Sequence, residues 1–322
     1  MTLAAVLLIL ASSFLHAGWN LLSKGTNSGP RVFLQANLTG MLLLLPLALV
    51  FRRVALAMPR PVVLLVLVTG LFQMIYYVAL SRSYRAGEMS VAYPLLRSLP
   101  IVMVALVELI AGEASALTPA AIAGFLLIVL GCLFLPLERF RDFRVRNYLH
   151  ATILLAVVAA VGTTGYSVVD SSALAVFRRA AIGTTHPTIV APIVYSFFEA
   201  MSSALWVGAY MLVERGFGRR LAASAPGSEA APRGEAAPRA SEPKGNGART
   251  AILMGIGIYV TYTMVLVSMG LVTNVSYVVA FRQASIPIGV ALSIAFLKER
   301  PFVPKLTGVA VVTLGLVLTA LS

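Results

Sequence analysis

The chain has 322 residues, of which 59% are hydrophobic and 11% charged, against roughly 45–50% and about 25% in soluble domains. That balance excludes an ordinary soluble domain and marks a membrane protein. A formal net charge of +13 would suit nucleic acid if it covered one soluble face, but all of the 25 Lys and Arg residues except Arg97 and Arg282 sit between apolar runs or at the edge of one, where they report topology instead.

Apolar runs long enough to span, at about 17–25 residues each, lie near 2–22, 33–51, 62–81, 88–110, 119–137, 150–170, 189–213, 250–270, 274–297 and 303–321. Each run is continuously apolar, whereas barrel strands alternate over about ten residues, so ten helices are expected. The first run, "MTLAAVLLILASSFLHAGWN", lacks the basic segment and small-residue cleavage site of a signal peptide and is expected to stay as helix one. Between the seventh and eighth runs, residues 222–247 are rich in Ala, Pro, Gly and Ser without an apolar period, which predicts a disordered loop.

Loops after the first, third, fifth, seventh and ninth runs, counted with Lys305 at the start of the tenth run, hold 18 Lys and Arg residues, and the remaining loops hold 5. The positive-inside rule puts the richer set in the cytoplasm and both termini outside. The single cysteine, Cys132, lies within an apolar run, so no intrachain disulfide and no thiol metal cluster can form, and a small core residue is its simplest role. No H-E-x-x-H, G-x-S-x-G or G-x-x-x-x-G-K-[ST] pattern occurs. Neither an enzyme nor an ATP-driven pump is expected, and no metal or cofactor.

The two halves resemble each other. "RSLPIVMVALVELIAGE" (97–113) matches "QASIPIGVALSIAFLKE" (283–299), and "GFLLIVLGCLFLPL" (124–137) matches "GVAVVTLGLVLTAL" (308–321). "HAGWNLLSK" (16–24) pairs more faintly with "TTGYSVVDS" (163–171). A five-helix unit used twice must have its copies in opposite orientations, because five crossings leave the chain on the other side. The expected fold is therefore an all-α polytopic membrane protein of ten transmembrane helices in two inverted repeats. Residues 1–137 form the first repeat, 138–149 a linker and 150–321 the second. Inverted repeats place a substrate site near the midplane, between the halves.

Ten spans in a five-plus-five repeat, with "HAGWNLLSK" in helix one, "GE" after helix four and "KE" after helix nine, resemble the drug/metabolite transporter superfamily, specifically its EamA-type permeases. The resemblance covers nearly the whole chain apart from the 222–247 loop. It implies a multi-pass protein of the cell's inner membrane that exports or exchanges small metabolites by secondary transport. It also implies cytoplasmic termini, opposite to the charge count, and both orientations stay open.

Two arginines lie inside the runs: Arg97 in the fourth and Arg282 in the ninth, 16 and 17 residues before the matched Glu113 and Glu299. Converging on one cavity, they would hold a carboxylate, phosphate or phosphonate through the bidentate guanidinium fork. The competing role is structural, pairing with an internal acid or with backbone carbonyls freed by Pro94, Pro100 or Pro287. Glu199, mid-way along the seventh run, is the candidate proton-coupling acid, with a fixed Glu–Arg pair as its alternative. Glu108 and Asp170 are expected nearer the interface.

His16, Asn20 and Ser23 share one helix face, as do Asn274, Arg282, Ser285, Gly289 and Ser293, and Tyr93 lies beside a stripe of Ser90, Pro94 and Arg97. Polar stripes facing lipid are costly, so these should face inward. Tyr76, Tyr93 and Tyr262 are the deep aromatic candidates for substrate contact, whereas Trp19 and Trp206 suit the membrane interface. The candidate substrate-binding set is thus Arg97, Arg282, Tyr93, Asn20, Tyr76, Tyr262 and Asn274. Expected partners are a small-molecule substrate, the lipid bilayer and protons as coupling ion. Two alternatives stay open: a multidrug exporter of lipophilic cations, and a non-transporting scaffold or sensor that uses the 222–247 loop.

Overall fold

The computed structural model describes residues 3–26, 28–111, 118–144, 148–181, 186–223, 247–270, 282 and 284–321. Each apolar run carries a helix: α1 (Leu3–Gly25), α2 (Pro30–Val50), α4 (Arg60–Ala86), α5 (Met89–Ala111), α6 (Pro119–Phe134), α7 (Ala151–Ala180), α8 (Pro187–Ala223), α9 (Gly247–Gly270), α10 (Ser285–Leu297) and α11 (Val303–Leu321), with a short α3 (Arg52–Leu56) between α2 and α4. No strand occurs among the described residues. In hydrocarbon every backbone polar group needs an internal partner, and the helix supplies one within each segment. Pro30–Val50, Arg60–Ala86, Ala151–Ala180, Pro187–Gly216 and Gly247–Val265 are long and apolar enough to cross a membrane.

Polarity runs opposite to that of a soluble domain. Leu42, Leu64, Leu126, Leu205 and Leu314 point outward, while Ser12, Asn37, Thr69, Gln73, Asp170 and Glu199 are buried. In water such an apolar exterior would aggregate; lipid tails accept it without penalty. With no hydrophobic drive between helices, close backbone approach must supply the packing, and glycines allow it. Where antiparallel α6 and α11 meet, a Cβ on Gly131 would lie 2.7 Å from the Gly308 carbonyl oxygen, and one on Gly315 would lie 2.6 Å from that of Gly124. On α7, a Cβ at Gly162 would fall 2.8 Å from the Tyr76 backbone nitrogen of α4.

The remaining pairings surround a central space. α4 lies along α7, α1 along α9, α2 against α8 and α9, and α4 against α8. α5 packs on α7 and α10, and α10 also packs on α1. At one end of the bundle, five elements hold the turn between α4 and α5. The Lys24 ammonium of α1 donates to the Tyr84 and Gly87 carbonyls, the latter at 2.5 Å, and Tyr84 Oη donates to Asn20 Oδ1 at 2.8 Å. Glu299, just past α10, accepts from the backbone N–H groups of Met89 and Ser90 at 2.7 and 2.8 Å, capping the start of α5. Lys305 of α11 pairs with Glu88, Ser83 donates to the Thr152 carbonyl of α7 at 2.7 Å, and Arg82 pairs with Glu214 of α8 at 3.0 Å.

Candidate functional site

A cavity opens where α1, α4, α7, α8 and α9 face one another, lined by His16, Trp19, Gln73, Tyr76, Tyr77, Tyr166, Glu199, Tyr259, Thr261, Tyr262 and Arg282. Helical spacing builds this wall. Gln73, Tyr76 and Tyr77 occupy one face of α4 at i, i+3, i+4, and His16 and Trp19 do the same on α1. The rings interlock: Tyr76 stacks obliquely on Tyr77 at 5.2 Å between centroids, meets Tyr166 edge-on at 6.1 Å, and His16 meets Trp19 edge-on at 5.1 Å. The cavity volume is about 40 Å³, room for roughly three waters at about 10–15 Å³ each.

Six buried polar atoms on residues of this lining have no hydrogen-bond partner among the described residues: His16 Nε2, Trp19 Nε1, Gln73 Oε1, Glu199 Oε2, Thr261 Oγ1 and Arg282 Nε. Buried polar groups are almost always paired, with protein or with water, so such a concentration in one cavity leaves hydrogen-bonding capacity for water or for a polar ligand. Glu199 Oε1 accepts from Gln73 Nε2, which leaves one oxygen on each residue without a partner among the described residues.

Arg97, on α5, is buried just behind the cavity rather than on its wall. Its Nε donates to Ser285 Oγ at 3.3 Å, and its Nη2 makes a long contact of 3.5 Å with the Arg282 carbonyl oxygen. Ser13 Oγ donates to the same carbonyl at 3.3 Å. The two arginines therefore come together, Arg97 bracing the backbone that carries Arg282. Among the described residues neither has an acid within ion-pair distance; the pairs are Arg82–Glu214 and Lys305–Glu88.

The other residues singled out from the sequence fall into three groups. Tyr76, Tyr262, Glu199 and Arg282 line the cavity. Tyr93 stands behind His16 at 6.1 Å and fills the space that Gly289 of α10 leaves, where a Cβ would come within 2.4 Å of its ring. Asn20 is turned to structure, donating to the His16 carbonyl at 2.8 Å and accepting from Tyr84. Asn274 and the side chain of Glu108 lie outside the described residues.

Trp19 lies in the interior at 4% exposure, not at the membrane interface, because α1 turns its His16 face onto α9 and the cavity. Trp206 remains partly exposed and donates to the Leu67 carbonyl at 2.9 Å. Asp170 is also internal, 3% exposed, because α7 continues ten residues beyond the expected end of its apolar run. Its carboxylate accepts from Thr69 at 2.5 Å, Tyr195 at 2.7 Å and Tyr262 at 2.7 Å, tying α4, α8 and α9 to α7. Thr69 and Tyr195 sit one turn before Gln73 and Glu199 on their helices, so the two buried acids occupy successive levels of the same wall. Sequence reasoning passed over Gln73 and Thr261.

The sequence matches no family model and no curated protein. Among solved structures, one crystal structure superimposes with a TM-score of 0.62 over 100% of this chain and 98% of that chain, at 20% identity. At that identity the likeness is one of fold alone.

Proposed function

We propose that this chain is a secondary transporter of the EamA type in the drug/metabolite transporter superfamily. It spans the inner membrane ten times in two inverted five-helix repeats, and exports or exchanges a small metabolite bearing an anionic group. The observation that carries the proposal is that two buried arginines lie close together, Arg97 reaching the backbone carbonyl of Arg282, and that neither has an acid partner among the described residues. Two positive charges in one low-dielectric interior repel each other, and a charge near the membrane centre costs at least ~2.5–3.5 kcal/mol on insertion scales. An anion arriving at the cavity offsets both costs, and Arg282 is the residue that would meet it.

Support for the repeat comes from the pairings. Exchanging the first five long helices with the second five turns α4·α7 into α9·α1, α4·α8 into α9·α2, and α5·α7 into α10·α1, while α2·α8, α5·α10 and α6·α11 map onto themselves. Such pairwise exchange is expected of two copies related by a pseudo-twofold axis in the membrane plane, with the substrate at their interface. Alternating access then follows from rocking one half against the other. Glu199, buried on the cavity wall, is the group placed to carry a coupling proton.

Uptake into proteoliposomes under an imposed pH gradient tests the proposal, using small carboxylates, phosphonates and organic phosphates. Wild type should accumulate at least one anion, Arg282→Gln should reduce its uptake at least tenfold, and Glu199→Gln should uncouple it from the gradient. Uptake of lipophilic cations alone, or an Arg282→Gln variant equal to wild type, would falsify the anion assignment.

A further inference from the structure

The connections after the second, fourth, sixth and eighth apolar runs hold 5 Lys and Arg residues in all, and every one is an arginine: Arg52, Arg53 and Arg60 beside α3, and Arg178 and Arg179 at the end of α7. Packing brings the two groups to one place. Phe51, Val54, Ala55 and Met58 join Val62, Leu174, Phe177, Ala181 and Val190 in a single apolar cluster. Those four positions around α3 follow i, i+3, i+4, i+7, which leaves Arg52, Arg53 and Leu56 on its outward face, all exposed. Arg60 and Arg179 are exposed as well.

Arg178 is placed differently. It follows Leu174 by four residues and precedes Ala181 by three, and both are buried in the cluster, so Arg178 shares the packed face of α7. Its Nε is buried and has no hydrogen-bond partner among the described residues. A basic last turn complements the C-terminal dipole of α7, yet it gives that N–H no acceptor. Residues 51–72 and 171–198, which surround the cluster, contain neither Asp nor Glu. Asp170, two turns deeper, is already engaged by three hydroxyls.

Five cations gathered at the end of the bundle that topology leaves poor in charge are not accounted for by the positive-inside rule. Their complement is an anion from outside the chain. We propose that the patch made by α3 and the end of α7 binds one anionic phospholipid, its phosphate held by Arg178 together with the arginines of α3. Guanidinium forks bind phosphate oxygens in pairs, which suits arginine rather than lysine at these positions. Basic pockets between membrane helices receive anionic headgroups in the same way. Leu56, Val63, Leu64 and Val176 are exposed beside the patch and offer the apolar surface along which the acyl chains lie. The proposal stands independently of what the central cavity carries.

The test is thermal melting of the purified full chain in a neutral detergent with dioleoylphosphatidylglycerol, dioleoylphosphatidylcholine, glycerophosphate or inorganic phosphate at equal concentrations. A lipid bound by the folded state raises the melting temperature by mass action, and the phosphatidylglycerol should raise it about 2–4 °C more than the phosphatidylcholine. Arg178→Gln should remove that difference, and Arg52→Gln combined with Arg53→Gln should at least halve it. Arg139→Gln, exposed after α6 at the other end, should leave it intact. If Arg178→Gln does not fold, the Arg52 and Arg53 double variant decides. Equal shifts from the two lipids, a difference that survives the variants, or one lost equally in Arg139→Gln overturns the site. Free phosphate or glycerophosphate matching the phosphatidylglycerol shift would make the ligand a soluble anion and overturn the lipid.

Discussion

Arg97 does its work through a neighbour. Its guanidinium reaches Ser285 and the Arg282 carbonyl in two directions at once, a task for the planar fork that a lysine ammonium cannot repeat. Arg97→Lys keeps the charge yet, on the proposed function, should raise the KM for the anion about tenfold, whereas Ser285→Ala, which removes one hydrogen bond, should lower stability by about 0.5–1.5 kcal/mol. Uptake kinetics beside thermal melts check both, and a normal KM in Arg97→Lys would mean that charge alone suffices. Both arginines were visible in the sequence because a permanent charge inside an apolar run has few explanations. Gln73 was not visible. A lone amide in "GLFQMIYY" carries no charge and no periodic signal, and its importance comes from Glu199, 126 residues away. Asp170 was expected nearer the interface because apolar composition stops near it, but the helix continues to Ala180 and three hydroxyls replace its water.

Among the elements, α6 and α11 depend on glycine. A leucine at Gly131 would drive its side chain into the Gly308 carbonyl and the Val312 backbone, each 2.7 Å from where Cβ would sit. Overpacking of that kind costs typically about 1–3 kcal/mol. Gly208 of α8 has nothing within 4 Å of its Cβ position, so Gly208→Ala should instead stabilise by up to about 1 kcal/mol through helix propensity. Melting temperatures of the two variants should therefore move in opposite directions, and a shared direction would remove close packing as the cause. The α5 start offers a second contrast. Lys298 takes a left-handed conformation, φ 58°, which turns the chain after α10 so that Glu299 can cap Met89 and Ser90. Glu299→Ala should cost about 0.5–2 kcal/mol, the usual value of a lost N-cap. Helix positions were legible from the apolar runs because run length tracks membrane thickness. The cap was not, because the 210-residue separation between Met89 and Glu299 leaves no local trace.

At the scale of the whole molecule, the turn between α4 and α5 is gripped by α1, α7, α8, α11 and Glu299, all at one end of the bundle. By sequence, the loops that connect helices at this end hold 18 Lys and Arg residues, against 5 in the others, so the positive-inside rule predicts that it is the cytoplasmic end. The Glu88–Lys305 and Arg82–Glu214 pairs do not change this inference, since acids contribute little to topology. The buried thiol of Cys132 makes the orientation measurable by cysteine labelling with a membrane-impermeant maleimide. Ala57, exposed between α3 and α4, and Glu138, exposed after α6, lie at opposite ends. Ala57→Cys should react in intact cells, whereas Glu138→Cys should react only after permeabilisation. The reverse pattern would put the termini in the cytoplasm, as the EamA resemblance implies, and would show that Lys24, Arg82 and Arg85 are basic because they hold the α4–α5 end of the bundle rather than because they set its orientation.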